Sequence, residues 1–191
     1  MSAFEELETL VEQSDDELKA GLPDVLPEIE GDLETLLLEH PDAYEQLITR
    51  MGTLEDPASY VEENKETVET FFDIMWGGLN LITNTIPDVQ EAVNQDMSIN
   101  WECTDTDLVW HMESDADSGI IEGGAGGLDD PALTFSGETD IMMSMIGDDD
   151  FNGQAAFMQG EFEIDGSLPM ATQLEGMMDS VMQKAQEFEM E

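Results

Sequence analysis

The chain has 191 residues, enough for one domain or for one domain with an extension, and 40% of them are apolar, enough for a real core. It carries 47 acidic residues against 4 basic ones, a formal net charge of −43. That balance excludes nucleic-acid binding, which needs cations against phosphate, and docking on an anionic membrane surface.

Charge of this size with few aromatics is usual for disordered chains, but here the apolar residues recur periodically. A folded protein adapted to molar salt satisfies both facts, because at about 1 M the Debye length is roughly 3 Å and surface carboxylates hardly repel. The basic residues are Lys19, Arg50, Lys65 and Lys184, so residues 66–183 hold none. A P-loop lysine, a Schiff-base lysine and an arginine clamp on phosphate are all missing from that stretch. The opening MSAFEELETL has neither a basic nor an apolar region of a leader, and no apolar run reaches about 18 residues. We therefore expect a cytoplasmic protein with no membrane insertion. The single cysteine, Cys103, allows neither an internal disulfide nor a zinc cluster.

The first half reads as helices. Ser2 with Glu5, and Ser14 with Glu17, have capping-box spacing. Phe4, Leu7, Leu10 and Val11 share a face of the first helix, and Gly21 with Pro23 is expected to end the second. Val25 to Leu37 reads as a third helix stopping before Pro41, and Tyr44, Leu47, Ile48 and Met51 as a fourth closed by Gly52. Asp56 before Pro57 is a helix start, and Tyr60, Val61, Thr67, Phe71, Met75, Trp76 and Leu79 carry a long helix to about residue 84. Pro87 starts a short helix to about Asn94.

From residue 97 the period becomes two. Met97, Ile99, Trp101 and Cys103 form one strand face, and Leu108, Trp110 and Met112 the next. A short strand is expected at 119–122, a glycine-rich loop at 123–130 and a strand at 132–135. A Met-rich helix follows at 138–146. Phe162 and Ile164 mark a last strand, and Met170, Leu174, Met177, Met178, Val181 and Met182 a closing helix. Strands in a meander followed by helices predict an α+β fold, with about five strands in an antiparallel or mixed sheet covered on one face by helices.

Within residues 131–182 stand Asn152, Gln154, Ala155, Phe157 and Gly160, then Phe162 and Ile164, then Met170, Ala171 and Leu174. In this order and spacing the stretch resembles the C-terminal half of the sterol carrier protein type 2 family, and the resemblance extends over about residues 65–185. It implies a lipid-binding or lipid-transfer fold with an apolar tunnel between sheet and helices, a helical N-terminal extension at 1–60 and the lipid-type domain at 61–191. The departure is charge: Glu161, Glu163 and Asp165 stand where the family usually has basic residues.

Nine of the 14 methionines fall between Met142 and Met190, and methionine suits sites for apolar ligands of varied shape. The expected lining is Met142, Met143, Met145, Ile146, Phe151, Phe157, Met158, Phe162, Met170, Leu174, Met177, Met178 and Val181, with Trp101 and Trp110 either lining the cavity or filling the core.

Other motifs carry less. The glycines at 123–127 lack the third glycine and the following helix of a dinucleotide fingerprint. Asp115-x-Asp117 opens like a calcium loop but puts Ile120 at its sixth position and Gly126 at its twelfth. His40 precedes a proline at a helix end, His111 has no serine or cysteine placed for a triad, and Cys103 reads as a buried thiol. We expect no catalytic residue, metal or cofactor. The expected function is non-catalytic carriage of a sterol-like, isoprenoid or fatty-acyl lipid. The alternative is an assembly module, with a protein partner or a second copy docking through the N-terminal helices.

Overall fold

The computed structural model describes residues 2–189, so the last methionine, Met190, lies outside the described residues. Helices α1 (Ala3–Val11), α2 (Asp15–Glu30), α3 (Leu33–Glu39), α4 (Pro41–Gly52) and α5 (Pro57–Thr85) come first, and α6 (Pro87–Ala92) leads into the sheet. Strands β1 (Met97–Cys103), β2 (Val109–Asp115), β3 (Ile120–Ala125) and β4 (Leu133–Gly137) precede α7 (Thr139–Gly147) and α8 (Gly153–Met158). Strand β5 (Phe162–Gly166) and α9 (Leu168–Glu189) close the chain. The sheet order is β3-β2-β1-β4-β5, antiparallel except for the parallel β1–β4 pair, so the α+β fold with a five-stranded mixed sheet is as expected.

Both capping boxes form, on α1 and α2. The second helix, however, does not end at Gly21–Pro23 but runs to Glu30 through Pro23 and Pro27. Proline at position 23 leaves the Lys19 carbonyl without its helical partner. The Tyr60 hydroxyl donates to that carbonyl at 3.1 Å and supplies the missing bond. Leu18, Leu22, Val25, Leu26 and Ile29 then form one buried stripe. What reads as a single helix from Val25 to Leu37 is broken after Glu30, where the Asp32 side chain accepts from the Thr35 N–H and starts α3.

One face of the sheet is covered. Ile99, Trp101, Trp110, Met112, Ile121, Leu133, Phe135 and Phe162 are buried beneath the helices. The opposite face exposes Glu102, Glu113, Glu122, Glu163 and Asp165. There the β3–β4 connection folds back over β2 and β1, held by paired hydrogen bonds between the Asn100 side chain and the Leu128 backbone, with His111 Nδ1 2.8 Å from the Gly126 oxygen.

The expected loop at 123–130 is corrected at its start, because Gly123, Gly124 and Ala125 belong to β3. The reason is α5. A Cβ at Gly123 would lie 2.8 Å from the Trp76 ring, so glycine lets the helix rest on the strand. Side chains of α5 also close the edge of β3: Asp73 accepts from the Ala125 N–H, Asn80 donates to the Ile121 carbonyl and Thr83 accepts from the Ile121 N–H. An edge strand is thereby shielded from pairing with another chain.

The N-terminal helices share one continuous core with the sheet and its helices. Helix α4 meets α7 backbone to backbone, where a Cβ at Gly147 would fall 2.2 Å from the Ile48 carbonyl oxygen and one at Gly52 2.4 Å from the Gly147 Cα.

Candidate functional site

The site is built on the covered face, where four adjacent strands each contribute a ring. Trp101 pairs directly with Trp110 on β2 and Phe135 on β4, and Phe162 of β5, opposite Gly137, lies on the same face diagonal to Phe135, so β5, β4, β1 and β2 line up four rings. Ring centroids are 6.0 Å apart for Phe162–Phe135, 5.7 Å for Phe135–Trp101 and 6.1 Å for Trp101–Trp110. Helix α5 closes the inner end: Phe72 stacks on Trp110 at 4.2 Å, and Trp76, one turn further, lies 5.9 Å from Trp101. At the outer end Phe157 of α8 sits 5.7 Å from Phe162. A line of rings thus runs from the surface to the centre of the protein.

Exposure changes along this line. Phe157 is 42% exposed and its neighbour Met158 79%, whereas Trp110 is fully buried. The indole N–H groups of Trp110 and Trp76 are buried and find no acceptor among the described residues. Most buried polar groups are paired, so two orphaned donors in one cluster are unusual.

The residues expected to line the cavity divide three ways. Trp101, Trp110, Met142, Met143, Phe162, Met177 and Val181 are buried. Met145, Ile146, Phe151, Met170, Leu174 and Met178 are half-buried and pack against the same core. Phe157 and Met158 face outward. Helix α7, which carries Met142, Met143, Met145 and Ile146, lies between α4 and strands β1 and β4. Helix α8 touches chiefly β5, and α9 packs on α6 and β4.

The covered face carries this packed line of side chains. Two clefts lie elsewhere: one of about 340 Å³ between Val61, Glu62, Lys65 and the turn Thr104–Asp107, and one of about 450 Å³ between Pro23, Pro27 and the α5 residues Glu66, Thr67, Glu69, Thr70 and Asp73. Both have mainly polar walls.

Phe72, Trp76 and Phe135 belong to the line but not to the expected lining. Phe72 and Trp76 stand four residues apart, a helical spacing that fits core and site equally.

The remaining reactive groups are placed quietly. Cys103 is buried, and burial pushes its thiol up to about 11, so it is no thiolate nucleophile. His111 lies on the open acidic face. Among the described residues no group of three or more His, Cys, Asp or Glu could hold a metal ion. No helix among them is long and apolar enough to cross a membrane.

A mixed five-stranded sheet with helices over an apolar face, ending in a Met-rich helix, defines the class of protein. The family model for the SCP-2 sterol transfer family matches residues 84–179, and the chain belongs to that family. The match runs from the end of α5 into the first half of α9 and leaves α1 to α4 and nearly all of α5 outside it, a narrower span than the resemblance at 65–185. Among solved structures the chain is similar to a "UbiJ-SCP2 ubiquinone synthesis protein", with 12% identity, 56% of this chain and 91% of that chain covered and a TM-score of 0.43. It is also similar to the stereoselective inverting sec-alkylsulfatase Pisa1 from Pseudomonas sp., with 14% identity, 92% of this chain covered and a TM-score of 0.44. The chain spans only 29% of that sulfatase. No curated protein matches it.

Proposed function

We propose that the protein binds and carries an apolar lipid between the sheet and its helices, without chemistry on the ligand. The carrying observation is the continuous line of rings from exposed Phe157 to buried Trp110, on the face that the family match covers. Burial of a lipid chain there would stabilise the complex by about 25 cal/mol per Å².

Uptake requires part of the cover to move. Helix α7 is backed by α4 through the Gly52–Gly147 contact, so the movable part is α8 with α9 rather than all the Met-rich helices. Met170, Leu174 and Met178 on α9 are half-buried, and methionine can repack around ligands of different shape. Residues 1–60 support the cover, and residues 61–191 form the lipid-type domain.

Charge narrows the ligand. Residues 66–183 hold no Lys or Arg, so an acyl-CoA would bring phosphates to a site with nothing to meet them. A neutral or weakly polar lipid, such as an isoprenoid, fits better than a phosphate-bearing one. The same charge is an adaptation to molar salt in a cytoplasmic protein, and salt that screens the carboxylates strengthens or preserves apolar burial.

Native mass spectrometry of protein purified in molar salt tests the carriage. Co-purifying neutral lipid in one-to-one ratio is the expected result. A stoichiometric protein partner or a second copy with no lipid, or tight binding of acyl-CoA in preference to an isoprenoid alcohol, would overturn it.

A further inference from the structure

The two orphaned donors say which end of a lipid goes in first and what it carries. A buried N–H without a partner costs free energy that an acceptor would recover. Trp110 is fully buried and Trp76 is 5% exposed, and both indole N–H groups lack an acceptor. Phe72 stacks on Trp110, and the Trp101 ring lies 5.9 Å from Trp76 and 6.1 Å from Trp110. At the other end of the line Phe157 and Met158 are exposed and apolar. Donors inside and apolar groups at the surface are the wrong arrangement for a lipid whose head stays in water.

We propose that the site takes a neutral lipid head first, its carbonyl oxygen accepting from the indole N–H groups of Trp76 and Trp110 and its apolar tail lying along Phe135 and Phe162 towards Phe157. This rests on the lipid-carrier reading and adds the chemical class of the head group. The site supplies donors, so an acceptor-only head is preferred. A hydroxyl head would bring a donor of its own that also needs an acceptor, and a carboxylate would bring a charge to a stretch, residues 66–183, that carries every ring of the line and holds no Lys or Arg.

The test uses three branched lipids of similar length on the full chain in molar salt: the hydrocarbon phytane, the ketone phytone and the alcohol phytol. Phytone is expected to bind about tenfold more tightly than phytane, the worth of about one net hydrogen bond, and more tightly than phytol. In the ¹H–¹⁵N spectrum the indole signals of Trp76 and Trp110, assigned from Trp76→Phe and Trp110→Phe, should move downfield with phytone more than with phytane. Each substitution should reduce the ratio of phytone to phytane affinity.

Equal affinity for phytone and phytane, or a ketone preference that survives both substitutions, overturns the head-first proposal and leaves lipid carriage standing. Binding of none of the three overturns both. The wild-type spectrum reports the hydrogen bond even if a variant fails to fold.

Discussion

Two regions of the covered side are built to different rules. In α1 to α5 the large apolar side chains point inward: Leu7, Leu18, Leu22, Leu26, Ile29, Leu47, Phe71 and Phe72 are fully buried, and Leu38 is the exception. Polar bonds tie these helices together. The Tyr44 hydroxyl donates to the Met75 carbonyl at 2.6 Å, and Arg50 bonds the Val11 and Gln13 carbonyls and pairs with Asp15. In α8, β5 and α9, by contrast, Phe157, Met158, Leu168, Met182 and Phe188 are exposed. The first region is anchored by contacts that allow one arrangement. The second holds to its neighbours by apolar side chains with many conformers, which on the proposed reading makes it the end that opens.

The largest expected effect concerns both regions. Lowering salt from about 1 M to about 0.1 M lengthens the Debye length from roughly 3 to roughly 10 Å, and self-repulsion of a −43 chain then loosens the fold. Circular dichroism across a salt series should show loss of helix, with α8 and α9 going first by hydrogen exchange. Next comes Gly147→Ala, which puts a methyl group into the Ile48 carbonyl and should destabilise by roughly 1–3 kcal/mol in chemical denaturation. It should also free α7, giving that helix the exchange behaviour of α9.

Arg50→Ala should cost about 1–3 kcal/mol, since it removes the side-chain donors to two carbonyls and the ion-pair partner of the Asp15 carboxylate. The Asp15 carboxyl shows a pH signature. Partial burial raises its pKa, but the Glu55 N–H and the Arg50 guanidinium outweigh that and hold it below its ordinary 3.8. Its contribution to stability is therefore whole above that value and is lost as pH falls through the lowered one. In Arg50→Ala, acid unfolding should lose part of this dependence. The smallest effect on stability belongs to Met158→Ser, within about 0.5 kcal/mol because Met158 is mostly exposed. Its expected consequence is slower lipid uptake in a stopped-flow assay, which sharpens the contrast between the regions.

Much of the fold was legible because it rests on local periodicity. Alternation placed Met97–Cys103 on β1, and the cap at Asp56 with Pro57 placed the start of α5. What escaped depends on distant partners. Helix α2 passes Pro23 with the Tyr60 hydroxyl in place of a lost bond, and Gly123–Gly124 are strand with α5 lying against them. For the site, the Met and aromatic positions were visible in order but not in depth. Nothing local distinguishes exposed Phe157 from buried Phe162, or marks Phe72, Trp76 and Phe135 as members of one line. The orphaned donors are a property of packing alone, since any tryptophan in the sequence carries the same N–H.

On the proposed reading, lipid enters at α8 and α9 while the N-terminal helices hold still. Hydrogen exchange by mass spectrometry, on the full chain in molar salt with and without phytone, tests it most directly. Slower exchange over residues 153–182 and unchanged exchange in α2 and α4 are the expected result. Protection confined to the N-terminal helices, or no change anywhere with phytone bound, would contradict it.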